Sequence, residues 1–270
     1  LLLGVYNIYL FMPIVNARIK VEKRCFSCVL LAFLLSFFCD VSSAVECRLY
    51  KVNTTRLTAC VVNLHQESLG LYWRDKKSKP YASIDALKND LEKDKQRIIF
   101  AMNAGMYQQS LTPMGLFISD YKTDVKLNTR SGVTNFYMRP NGVFFVDKGR
   151  AGILSTEAYK KSGIKPKLAT QSGPILILNK KITTSAVMSP NSTHKNKRNA
   201  VCLIDDQHTA FVIADDPVSF YGFASFLLTS LKCTDALYLD GAVSSLYAPQ
   251  VNRRDGFYGI GTFLAVLERH

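Results

Sequence analysis

At 270 residues, 48% of them hydrophobic, the chain has apolar material for one large globular domain, and no stretch is biased enough in composition to be disordered. Its formal net charge is +13, and residues 1–44 hold only four Lys/Arg against two acids, so the remainder keeps +11. A surplus of that size favours anionic partners. The basic residues are scattered, however, and the densest cluster, Lys195-Asn196-Lys197-Arg198, lies in no recognisable nucleic-acid module, so nucleic acid is not an expected partner.

Arg18, Lys20, Lys23 and Arg24 precede an apolar run over 25–39, shorter than the roughly 20 residues a membrane helix needs. Ser42-Ser43-Ala44 then offers the small residues a signal peptidase reads. The expectation is an export signal removed after Ala44, leaving a single domain over 45–270 in the periplasm or outside the cell, with no stable membrane span. Residues 1–20 add a second apolar run ahead of the charges; translation is expected to start near Val21, and an anchor built from both runs is the competing reading. Cys25, Cys28 and Cys39 leave with the signal, whereas Cys47, Cys60, Cys202 and Cys233 remain. An even number in an exported protein permits two disulfides in three pairings, and the local ones, Cys47–Cys60 and Cys202–Cys233, are expected.

Along the domain, 48–52 and 57–64 read as strands, the second rich in Val and Thr. Ser83 can cap a helix whose apolar positions Ile84, Leu87 and Leu91 share one face. A buried strand over 97–102 runs into Asn103-Ala104-Gly105. Further strands are expected over 114–119, 135–138 and 143–146, the last two joined by an Arg139-Pro140-Asn141-Gly142 turn. A short helix follows near 155–161, then strands over 168–171, 175–178, 200–205 and 209–214. Pro217 is placed to open a helix to about residue 232, burying Phe220, Phe223, Leu227 and Leu231. A strand over 236–239 ends in Asp240-Gly241, and strands near 245–247 and 259–267 close the chain. Many strands and two or three helices predict an α+β domain around a mixed, largely antiparallel sheet.

Three times an apolar strand stops abruptly in a small-polar turn: at Asn103-Ala104-Gly105, at Ser172-Gly173-Pro174 and at Asp240-Gly241. Glycine lets backbone approach a ligand closely, and the polar neighbour then projects from a rigid element. Asp240, ending a buried strand, has the chemistry of a general acid/base or of a nucleophile at an anomeric carbon, and equally that of a turn cap. Ordinary glycoside hydrolysis wants a second carboxylate, for which Asp215 and Asp216 are placed just after a strand, where either reads equally as a cap of the helix expected at Pro217. Arg198 carries a forked, always-charged donor suited to phosphate oxygens, although alone it reads as a surface arginine. The four histidines show no paired ligand spacing, and neither metal nor cofactor is expected.

The ordered series Asn103-Ala104-Gly105-Met106-Tyr107, Pro113-Met114-Gly115-Leu116, Asn141-Gly142-Val143-Phe144, Gln171-Ser172-Gly173-Pro174, Arg198-Asn199-Ala200-Val201 and Leu239-Asp240-Gly241 resembles the phosphodiester glycosidase family, over roughly residues 98–267. The family's best-known member removes N-acetylglucosamine from a phosphodiester, and bacterial relatives are exported and often described as exopolysaccharide-biosynthesis proteins. The resemblance implies a pocket holding Asn103, Gly105, Ser172, Gly173, Arg198, Asp240, Gly241, Ser244 and Ser245, with a sugar phosphodiester or phosphorylated glycan as substrate. Where many members carry a run of glycines after the aspartate, this chain has Gly241-Ala242-Val243-Ser244, which implies an altered substrate fit. The competing function is a non-catalytic module that binds anionic polysaccharide. It would share Arg198 but have no need of a buried carboxylate at Asp240.

Overall fold

Alternation of apolar side chains makes most of this chain two-faced strand, and the computed structural model, which describes residues 45–132, 134–184 and 188–268, builds three antiparallel sheets from it. Seven strands form the largest sheet: β1 (Val45–Val52), β2 (Thr55–Asn63), β13 (His208–Val218), β12 (Asn196–Leu203), β14 (Asp235–Tyr238), β10 (Ile175–Leu178) and β11 (Lys181–Ile182), in that spatial order. A second sheet runs β16 (Arg253–Arg254), β15 (Leu246–Ala248), β4 (Ile98–Asn103), β17 (Phe263–Leu267) and β3 (Leu69–Tyr72). The third runs β6 (Lys122–Val125), β5 (Phe117–Ser119), β9 (Leu168–Ser172), β7 (Gly142–Asp147) and β8 (Arg150–Ser155). The α+β class expected from the sequence is therefore present, with three sheets around one core. Every strand pairing among the described residues is antiparallel.

Each sheet turns one face to that core. Phe211 and Val201 of the first sheet, Phe100 and Leu264 of the second, and Phe117 and Phe144 of the third belong to one buried cluster. The alternate residues face outward and are covered by helices. α1 (Ile84–Lys93) lays Ile84, Leu87 and Leu91 against Phe263 and Ala265. Tyr159 of α2 (Thr156–Ser162) packs on Val143 and Ala169. Phe220, Phe223 and Leu227 of α3 (Phe220–Thr229) cover Ala200, Ala210 and Val212. Ser83, Ser155 and Ser219 cap the three helices, each hydroxyl accepting a backbone N–H of the first turn at 3.0–3.1 Å.

Two local expectations are corrected. Pro217 does not start α3: it belongs to β13, whose ladder with β12 continues to Val218 opposite Asn196, so the helix begins where Ser219 can cap it. Residues 135–138 are not a strand. Asn135–Tyr137 forms a 3-10 turn, with Asn141 Nδ2 donating to the Phe136 carbonyl. Both expected disulfides, Cys47–Cys60 and Cys202–Cys233, are present. The expected export signal lies outside the described residues.

Candidate active site

One strand of each sheet ends at the same place. β4 ends in Asn103, β9 ends in Ser172, and the chain leaves β14 through Leu239 and Asp240. The segment at Asp240 is held by side chains from the other two strands. Asn103 Nδ2 donates to the Asp240 carbonyl at 2.9 Å, and Ser172 Oγ donates to the Leu239 carbonyl at 2.9 Å. Asn103 Oδ1 accepts from Asn199 Nδ2 at 2.9 Å and from the Ser245 backbone N–H at 3.0 Å. Ser244 Oγ closes the turn on the Gly241 carbonyl at 2.7 Å. Asn103, Ser172, Ser244 and Ser245 are all buried. The structure thus brings Asn103, Ser172, Asp240, Gly241, Ser244 and Ser245 together, and the hydrogen bonds of Asn103, Ser172, Ser244 and Ser245 lock the backbone around Asp240.

The glycines permit that convergence. A Cβ on Gly241 would lie 2.6 Å from the Lys197 carbonyl oxygen and 2.7 Å from Arg198 Cα, so the turn after Asp240 rests directly on β12. A Cβ on Gly105 would lie 2.5 Å from Thr170 Oγ1 and 2.7 Å from the Gln171 carbonyl oxygen, which joins the exits of β4 and β9. Gly173 sits as tightly against Asn141. Ala242 is different: it is exposed and lines a cleft of about 400 Å³ beside Arg198, Tyr238, Asn135 and Lys197. Ala242, which stands where many family members carry glycine, therefore borders that cleft.

Electrostatics distinguish two groups here. Burial pushes the Asp240 carboxyl up to about 6, against a smaller opposing effect from the Ala242 backbone N–H. Arg198 is only 4% exposed, and its guanidinium stacks 3.7 Å from the Phe220 ring and 5.6 Å from the Tyr238 ring. Its Nε donates to the Val218 carbonyl at 3.4 Å. Among the described residues no carboxylate pairs with it. A buried cation of this kind beside a cleft has the chemistry to hold an anion. Tyr238 interacts with both groups. Its hydroxyl accepts from the Gly241 N–H at 3.0 Å. Burial raises it, Arg198 opposes that rise, and Asp240 adds to it. Tyr107, raised to about 12 by burial and then by Asp240, is also held as a phenol beside the carboxyl.

Asp215 is placed elsewhere. Its Oδ1 lies 2.7 Å from Arg253 Nη1, and it lines a separate, larger cleft of about 670 Å³. Asp216 is bound by Arg56 through both carboxylate oxygens at 3.0 Å. Sequence reasoning missed Tyr238, Tyr107 and Asn199 as parts of the site. Tyr107 and Asn199 stood inside recognised motifs, but Tyr238 looked like one more core position of an apolar strand.

The phosphodiester glycosidase model matches residues 96–266. The uncharacterized protein YigE of Escherichia coli (strain K12) is 34% identical over 194 residues, 72% of this chain and 75% of that one. The zebrafish N-acetylglucosamine-1-phosphodiester alpha-N-acetylglucosaminidase catalytic domain, auto-inhibited by its pro-peptide, superposes with a TM-score of 0.57 over 85% of each chain at 15% identity. A hypothetical protein from Synechocystis gives a TM-score of 0.50 at 13% identity, over 83% of this chain and 62% of that one. At such identities these two structures speak for the fold. The family match covers well over half of the chain, including every residue of the Asp240 constellation, and this protein belongs to the phosphodiester glycosidase family.

Proposed function

We propose that this protein is an exported hydrolase that cleaves a sugar from the phosphate of a sugar-1-phosphodiester, the sugar resembling N-acetylglucosamine. The feature that carries this reading is a pair of groups that both act on Tyr238: a buried guanidinium with no paired carboxylate among the described residues, and a carboxyl that burial raises to about 6. Arg198 takes the phosphate oxygens. Asp240, ionised, faces the anomeric carbon, where positive charge grows as the bond to the phosphate oxygen breaks. Water adds to that carbon, its proton passes to the Asp240 carboxylate, and the bonding pair leaves on the phosphate oxygen. A phosphate departs as a stable anion, so its oxygen needs no protonating acid. The engagement of Asp215 with Arg253 is then no obstacle to the chemistry. Asn103, Ser172, Ser244 and Ser245 position Asp240, and Gly105, Gly173 and Gly241 allow the close approach.

A module that only bound anionic polysaccharide would gain from Arg198 and lose from a carboxylate buried beside its ligand, so the hydrolase is the better reading. Export is supported by the two disulfides, which persist in oxidising compartments. No helix among the described residues is long and apolar enough to cross a membrane. The test is hydrolysis of methyl N-acetylglucosamine-1-phosphate in ¹⁸O-labelled water. Label is expected in the released sugar, because the carbon–oxygen bond breaks. Label in the phosphate would mean a phosphodiesterase instead.

A further inference from the structure

The protein leaves few large apolar side chains in water, and those few are not scattered. Six are exposed among the described residues: Leu49, Val52, Tyr121, Ile164, Phe257 and Tyr258. Four of them belong to two segments that border the clefts at Arg198. Leu49, 68% exposed, lines the larger cleft together with Lys51, Arg56 and Lys197, and Val52 follows Lys51 at the end of β1. The Phe257 ring lies 5.8 Å from Lys197 Nζ, and Lys197 also lines the Arg198 cleft. Tyr258, 81% exposed, comes next in the chain. A Cβ added at Gly256 or Gly259 would meet no atom within 4 Å, so the Gly256-Phe257-Tyr258-Gly259 tip stands clear of the protein.

The same rim is basic. Arg56 is held by Asp216, Arg254 by Asp85, and Arg253 by Asp215 and Asp255. Lys51, Lys195 and Lys197 are exposed, and none of them forms an ion pair among the described residues. With +11 over residues 45–270, the domain as a whole is drawn to an anionic surface. A soluble polyanion would engage the lysines and leave the four apolar side chains in water. Leu49 and Val52 also argue against a sugar, to which aliphatic groups offer no stacking face. A bilayer interface takes aromatic and aliphatic groups together, with lysines reaching the lipid phosphates.

We propose that this rim docks on an anionic lipid bilayer. Phe257 and Tyr258 enter the headgroup layer, Leu49 and Val52 follow at its edge, and Lys51, Lys195 and Lys197 meet lipid phosphates. The docking itself does not depend on catalysis. Joined to the hydrolase reading, on which this consequence rests, it presents the Arg198 cleft to sugar phosphodiesters borne on a lipid.

The test uses residues 43–270, one compact unit that holds every described strand and both disulfides. It is sedimented with vesicles of phosphatidylglycerol and phosphatidylcholine in equal parts, or of phosphatidylcholine alone. Binding is expected to the anionic vesicles only, and it should weaken as salt rises. Phe257→Ala/Tyr258→Ala and Lys51→Ala/Lys195→Ala should each lower the partition coefficient about tenfold. Both should leave sugar release from the soluble methyl phosphodiester unchanged. The aromatic variant should also slow release from an octadecyl phosphodiester embedded in the anionic vesicles. Equal binding to both vesicles, binding to neither, or anionic-vesicle binding that both double variants keep would overturn the docking. Loss of binding in the lysine variant but not in the aromatic one would mark a site for a soluble polyanion and overturn it too. Vesicle binding without sugar release from either ester would leave the docking standing and remove the hydrolase.

Discussion

Asp240 is the residue on which the chemistry turns, and its environment fixes the sign of two measurements. Its carboxyl is raised by burial to about 6, so the ionised form needed to accept a proton is lost as pH falls through that value. kcat/KM for a sugar phosphodiester is expected to fall tenfold per unit below about pH 6 and to level off above it; a profile that rises toward acid would make Asp240 a proton donor. The same shift bears on stability. A raised carboxyl pKa means that ionisation opposes folding, with no penalty below about pH 4 and the full penalty above about pH 6. Asp240→Asn should therefore melt several degrees above the wild type at pH 8, and the gap should close near pH 4; discounting for solvent, the gain is on the order of 1–2 kcal/mol. Higher stability with lower activity would mark a group kept for function. Arg198 calls for a different substitution. Arg198→Lys keeps the charge but loses the plane that stacks on Phe220 and the fork that grips phosphate, so it should weaken binding and turnover of phosphodiesters together, read as a rise in KM with a fall in kcat.

At the scale of elements, three strand ends must meet to within a methyl group. Gly241→Ala is expected to push the turn off β12 at Lys197 and Arg198, with a loss of at least about 2 kcal/mol of stability and of most activity. Asn103→Ala leaves the Asp240 carbonyl and the Ser245 N–H without their partner, and it should lower kcat more than it raises KM. The Cys202–Cys233 bridge fastens β12 to the approach to β14. Replacing both cysteines by alanine should cost about 3–4 kcal/mol by loop-closure entropy, measured by chemical unfolding. Much of this level was legible in the chain. Ser83 announced α1, the Val- and Thr-rich run announced β2, and the abrupt polar stops after β4, β9 and β14 marked the site. What was missed was decided by partners distant in sequence. β3 is only four residues long and exists because it pairs with β17. Pro217 looked like a helix start because nothing local reveals that Val218 lies opposite Asn196. Residues 135–138 looked extended, but the Asn141 side chain folds them into a turn.

Across the whole molecule, the three-sheet arrangement explains why the candidate residues are so far apart in sequence. Asn103, Ser172 and Asp240 each end a strand of a different sheet, and no periodicity connects them; the family resemblance supplied their grouping, and the contacts give it a physical basis. The roles were less legible than the grouping. Asn103 and Ser172 were expected in the ligand pocket, yet their hydrogen bonds go to the backbone of Leu239 and Asp240. Asp215 looked like a second catalytic carboxylate, and its pairing with Arg253, 38 positions further along the chain, could not be read from the chain order. The central claim is that Asp240 carries hydrolysis of a sugar-1-phosphodiester. It is tested most directly by the rate of free N-acetylglucosamine release from the methyl phosphodiester at pH 7.5, for the wild type and a folded Asp240→Asn variant. The account predicts release by the wild type and a loss of at least ~10²-fold in kcat in the variant, typical of removing one catalytic group. An Asp240→Asn protein that melts cooperatively and turns over at the wild-type rate would contradict it.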